Sequence, residues 1–174
     1  MAAVMPQSEH WKLVAATEAF STAAPAFRIV NEKEAPPWVR IPFVLYGYRV
    51  GHSEAAALGS LFTLHADTVN IWLHLVGLLY FFSCFKVIDE VMSSVPGSTM
   101  ADKAAFYVYT CCAMVLLVNS VIYHTFRCVS EWHSANLLRL DFIGILILFF
   151  GHAVMSFHTA FSPCLPAAEI AYSE

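Results

Sequence analysis

Three apolar runs, each about twenty residues long, dominate this chain: Val69 to Ile88, Ala104 to Phe126 and Leu140 to Phe161. At a rise of 1.5 Å per residue, a helix of that length crosses a hydrocarbon core of about 30 Å. Only 13% of the 174 residues are charged, against roughly 25% in an ordinary soluble domain. The expected fold is therefore all-α, a multipass transmembrane helical bundle with three spans. A net charge of −4 leaves no basic footprint for nucleic acid. The chain has no apolar core after a basic start, so no cleavable signal peptide is expected, and the first span would act as an uncleaved signal.

The segments between the spans organise the rest. Residues 1–37 are mixed and polar, end in Pro36-Pro37, and read as a poorly ordered tail. Residues 38–68 form a juxtamembrane segment. Its stretch from Trp38 to Tyr48 is apolar but too short to span and is broken by Pro42. From Ser53 a short helix is expected, capped by Ser53. Its apolar stripe of Leu58, Leu61 and Phe62 would lie on the membrane surface or pack against the bundle. Residues 69–161 hold the spans and 162–174 a short tail. Thr99 with Asp102 three positions on predicts a capping box before the second span. Arg127 to Arg139 reads as a polar connection.

Lysine and arginine set the expected orientation. Seven of the nine (Lys12, Arg28, Lys33, Arg40, Arg49, Arg127, Arg139) fall on one side, and Lys86 and Lys103 on the other. The positive-inside rule then places the N-terminus in the cytosol, in the plasma membrane or an endomembrane. The five cysteines, Cys84, Cys111, Cys112, Cys128 and Cys164, show no CxxC spacing. They read as small buried hydrophobes, not as a disulfide framework.

Polar residues inside the spans cluster near one expected face: Asn70, His74, Asn119, Ser120, His124 and Asp141. Intramembrane polar groups are costly and point to function. Ser120 and His124 share a helix face at i,i+4, as do Asn70 and His74. A neutral imidazole at His124 suits zinc, and a nearby carboxylate could orient it or hold a metal-bound water. The simpler reading of His124 is an interhelical hydrogen bond, worth about 0.6 kcal/mol. His74 reads as a packed, hydrogen-bonded histidine. Asp141 could equally serve a helix dipole. His152 and His158 fall towards the opposite leaflet with no carboxylate partner evident.

These residues carry a family resemblance. The block from Leu64 to Gly77 (LHADTVNIWLHLVG), the block from Asn119 to Cys128 (NSVIYHTFRC), the block from Leu140 to Ile145 (LDFIGI) and Tyr46-Gly47-Tyr48-Arg49 together resemble the progestin and adipoQ receptor family, related to hemolysin III. Ala66, Asp67 and Leu73 depart from that family's usual residues. The resemblance implies a seven-helix fold, hormone or lipid sensing, and a zinc site near the cytosolic leaflet suited to hydrolysis of a lipid amide such as ceramide. It implies His124 as a metal ligand, with Ser120 and Asp141 as catalytic neighbours holding a metal-bound water. The family's remaining histidine ligands come from its last helix. A chain shortened after the third span, with an incomplete zinc site, is therefore expected. The alternative is a catalytically inactive membrane protein that forms a homo-oligomer or pairs with a full-length relative and modulates it. A pore-forming activity rests on the family's older name alone.

Overall fold

The computed structural model describes residues 27–51 and 53–161. Three long helices run up, down and up: α2 (Thr68–Ser94), α3 (Met100–Phe126) and α4 (Glu131–Phe161). All three are long and apolar enough to cross a membrane. In front of them stand a two-stranded antiparallel hairpin, β1 (Arg28–Asn31) and β2 (Tyr46–Val50), and a short helix, α1 (Glu54–Gly59). The hairpin lies outside the all-α expectation. Part of the expected tail is thus structured from Arg28 onward, and residues 1–26 and 162–174 of the two tails lie outside the described residues.

The hairpin exists because it can bury a small core of its own. Val30, Ala35, Val39 and Tyr48 are buried together, with Ile41, Val44 and Val50 packed against them. The Tyr48 hydroxyl accepts from the Ile41 N–H at 2.9 Å and donates to the Val44 carbonyl at 2.8 Å, which closes the loop between the strands. Val30 pairs with Tyr48 but Asn31 with Tyr46, so Gly47 is the extra residue of a bulge. Gly47 has a φ of +98°. Its carbonyl accepts the Ala66 N–H at 2.8 Å, and a Cβ there would sit 3.1 Å from that nitrogen. Only glycine gives both the backbone angle and the close approach.

Local signals set the helix starts. Ser53 caps α1 by accepting from the Ala56 N–H at 3.1 Å. Ala56, Ala57 and Ser60 are buried on one side of α1, while Leu58, Phe62 and Leu64 stay exposed. This segment packs on the bundle and still presents an apolar edge outward. Thr99 and Asp102 form the expected capping box of α3. The polar stretch after Arg127 is not a plain connection: α4 begins at Glu131, nine residues before the apolar run. Ser130 Oγ accepts from the His133 N–H at 3.2 Å there, as a capping residue does.

α3 is the middle helix and packs against both neighbours, more extensively against α4. Two glycines on α4 permit this. A Cβ at Gly144 would lie 2.9 Å from Leu116 Cα, and one at Gly151 would lie 2.7 Å from Cys112 Cβ. Small residues at such crossings let helix backbones approach within a membrane. Asn119 adds a hydrogen bond from its amide to the Leu140 carbonyl at 3.0 Å. The outer faces carry large apolar side chains such as Leu79, Phe82, Leu146 and Phe149, all exposed as a lipid-facing surface requires. Cys112 and Cys128 are buried free thiols, as expected, whereas Cys111 is exposed.

The end far from the hairpin is tied by polar side-chain contacts. Asp89 on α2 meets Lys103 at 2.7 Å and the Tyr107 hydroxyl at 2.6 Å on α3. His158 Nε2 lies 2.6 Å from Asp102 Oδ1, so the fold supplies the carboxylate that the sequence alone does not show for His158.

Gly144→Ala and Gly151→Ala should each lower stability by about 1–3 kcal/mol through overpacking. Gly59→Ala should be neutral or slightly stabilising, because nothing lies within 4 Å of its Cβ position. Unfolding by sodium dodecyl sulfate titration in mixed micelles, followed by far-UV circular dichroism, checks both.

Candidate functional site

Asp67 immediately precedes α2, where an aspartate would ordinarily cap the helix. Its side chain makes no capping bond. The carboxylate instead meets three donors. Oδ2 lies 3.2 Å from Arg49 Nη2 on β2. Oδ1 lies 3.0 Å from His124 Nδ1 and 3.5 Å from Arg127 Nη1, at the end of α3. Arg49 and Arg127 are almost wholly buried, at 2% and 5% exposure.

Each arginine extends the cluster. Arg49 donates to Ser60 Oγ at 2.7 Å and to the His124 backbone carbonyl. It thereby joins β2, the turn after α1, and the last turn of α3. Arg127 donates to the Val39 carbonyl at 2.8 Å, and its guanidinium stands 5.3 Å from the centre of the Tyr123 ring. Ser134 Oγ donates to the Trp38 carbonyl at 3.0 Å. The hairpin is thus fastened to the bundle by buried polar contacts from α3 and α4.

The charges shape the titration of the groups at this end. Burial alone would raise the Asp67 carboxyl. The hydrogen bond with His124 and the charges of Arg127 and Arg49 outweigh that, and hold it below the usual carboxylate value. His65 is held neutral: burial, helped by the Arg49 charge, pushes it down to about 4. Its Nδ1 accepts from the Asp67 N–H at 3.2 Å.

The Asp67 contact fixes what His124 can do. With Nδ1 engaged by a carboxylate, Nε2 is the nitrogen left to bind a metal or accept a proton. The His74 ring lies alongside, its centre 6.4 Å from that of His124. His74 Nδ1 bonds its own Asn70 carbonyl at 2.6 Å, as a packed, hydrogen-bonded histidine does.

Of the residues singled out from sequence, Ser120 is buried one turn from His124. Asp141 starts the apolar part of α4. The carboxylate on the imidazole, however, is Asp67 and not Asp141. Asp67 had stood out only as a departure from a family pattern. Its position just before an apolar run is the one local signal, and that position ordinarily favours a cap. Among the described residues, no three His, Cys, Asp or Glu side chains converge to hold a metal ion.

Three membrane-length helices closed at one end by a buried arginine–aspartate–histidine cluster define an integral, multipass helical protein of the lipid bilayer. Residues 62–173 match the family model described as Haemolysin-III related. Progestin and adipoQ receptor family member 3 of Homo sapiens is 36% identical over 124 residues, covering 69% of this chain and 39% of that protein. Membrane progestin receptor beta of Sus scrofa is 28% identical over 132 residues, covering 75% of this chain and 37% of that protein. Heptahelical transmembrane protein 1 of Arabidopsis thaliana is 31% identical over 110 residues, covering 59% and 32%. The chain belongs to the haemolysin-III-related family that includes the progestin and adipoQ receptors. It spans less than half the length of curated relatives such as these.

Asp67→Ala should lower stability by roughly 3–5 kcal/mol, since it strands two buried guanidinium groups. Acid should also loosen this end. His65 takes up its proton near 6.5 when unfolded but near 4 when folded. Below pH 6.5 the unfolded chain therefore binds more protons, and stability falls until pH reaches about 4. The lowered Asp67 carboxyl acts in the same direction at more acid pH. Melting temperature in detergent should drop between pH 7 and 4.5, and drop less in His65→Asn.

Proposed function

We propose that this chain is a receptor-type member of its family in which His124, backed by Asp67, forms one arm of a zinc centre suited to hydrolysis of a lipid amide such as ceramide. The 3.0 Å contact from His124 Nδ1 to Asp67 Oδ1 carries this reading. A carboxylate on the far nitrogen fixes the ring's tautomer and raises the basicity of the nitrogen facing the metal. Ser120 and Asp141 are the neighbouring polar groups assigned to water positioning. The N-terminus is placed in the cytosol on the lysine and arginine bias.

The described residues do not complete such a centre. Catalytic zinc is ordinarily held by three protein ligands and a water, and only one arm is built here. When bound in a full site, the metal would supply Lewis acidity and a water of lowered pKa. What this chain contributes is a fixed imidazole, a carboxylate shielded from solvent, and a rigid end to α3.

A second reading is that the chain assembles with a longer relative and modulates it. One experiment separates the two. Purified chain is titrated with zinc and bound metal is counted by mass spectrometry, with and without a co-expressed longer family member. Uptake by the chain alone, lost in His124→Ala and weakened about 10- to 100-fold in Asp67→Asn, supports the first reading. Uptake and turnover of fluorescent ceramide only in the mixed complex select the second. Equal uptake by the native chain and His124→Ala in both settings rejects the metal assignment.

A further inference from the structure

A groove of about 370 Å³ opens on the outer side of the bundle at the hairpin end. Leu58 of α1, Ile122 and Phe126 of α3, and Leu137 of α4 form its apolar floor. That volume falls within the range of about 300–1,000 Å³ typical of ligand sites. The groove is separate from the Asp67 cluster. Leu58 and Trp132 on its lining are exposed.

Its rim has a definite character. Phe126 is the last residue of α3, and Trp132 lies in the first turn of α4 and is 67% exposed. Tryptophan favours the level where hydrocarbon meets head groups. At that level stand Glu54 and His133. His133 Nδ1 is held by Ser130 Oγ at 2.8 Å, which sets its Nε2 3.4 Å from Glu54 Oε1. The Glu54 side chain is 68% exposed, and a carboxylate has acceptor capacity for several donors. The mouth of the groove therefore carries a negatively charged hydrogen-bond acceptor above an apolar trough.

We infer that this groove holds a bilayer phospholipid whose head group carries a primary ammonium, with the ammonium on Glu54 and an acyl chain along the Leu58–Ile122–Phe126–Leu137 floor. Three N–H donors on the ammonium can make charge-assisted bonds to the carboxylate. A choline head group has no N–H to offer. An anionic head group would meet the Glu54 charge directly.

The test uses native mass spectrometry. The chain is reconstituted in vesicles of equal phosphatidylethanolamine and phosphatidylcholine with the same acyl chains, then extracted in mild detergent. The expected result is one retained ethanolamine lipid per chain, in roughly tenfold excess over choline lipid, the size of one bond to a charged group. Glu54→Gln should bring the ratio to about one, and Leu58→Trp, which fills the trough, should abolish retention of both lipids. Glu90→Gln, at an exposed pair at the other end, should leave the excess unchanged. Circular dichroism confirms that each variant is folded. Equal retention of the two lipids, an unchanged excess in Glu54→Gln, preference for added phosphatidylserine, or a lipid-free dimer would each overturn the assignment.

Discussion

One carboxylate holds the hairpin end together. Asp67 neutralises part of the charge on two buried arginines and orients one imidazole, and the partners come from β2 and from the end of α3. Two guanidinium groups removed from water would each cost several kcal/mol if left unpaired. Asp67 thus joins β2 to the last turn of α3, alongside the bonds from Arg127 to the Val39 carbonyl and from Ser134 to the Trp38 carbonyl. Arg49 makes this explicit, since its Nη2 bonds both the Asp67 carboxylate and the His124 carbonyl. A displacement of β2 is therefore a displacement of the peptide that carries His124.

The two ends of the bundle are built differently. At the distal end, the Asp89 and Lys103 side chains are 55% and 22% exposed, and such a pair contributes little beyond fixing a turn. At the hairpin end, the charges are dry and shared among three segments. Between the ends, the helices meet through close backbone approach at Gly144 and Gly151 and not through charge. Lipid tails are as apolar as leucine, so packing and hydrogen bonds must provide the specificity that hydrophobic burial provides in water.

The spans were legible because the bilayer fixes their length, and a run of twenty apolar residues has few other readings. Ser53 and the Thr99/Asp102 box were legible because caps are local: donor and acceptor lie within three residues. The early start of α4 was hidden by composition, because a polar helix emerging from the membrane resembles a loop. The hairpin was hidden because its core draws on residues as distant as Val30 and Tyr48. His124 could be chosen from its place in a span. The pairing with Asp67 spans 57 residues, and no periodicity reports a contact at that separation. Asp141 was the more visible carboxylate because it shares the apolar context of the helices. Asp67 sits just outside that context, where a cap is the local expectation.

Stability alone does not account for such a cluster. Apolar residues of similar volume commonly replace a buried ion pair at no cost, or with a gain of 1–4 kcal/mol. What apolar residues cannot reproduce is direction. The Asp67 carboxylate selects one tautomer of His124, and Arg49 holds the backbone of the same residue, so both ring and main chain are fixed from the same side. A histidine that served only to join two helices would need neither constraint. His124 is therefore held with its Nδ1 engaged and its main chain fixed by the same cluster that seats β2.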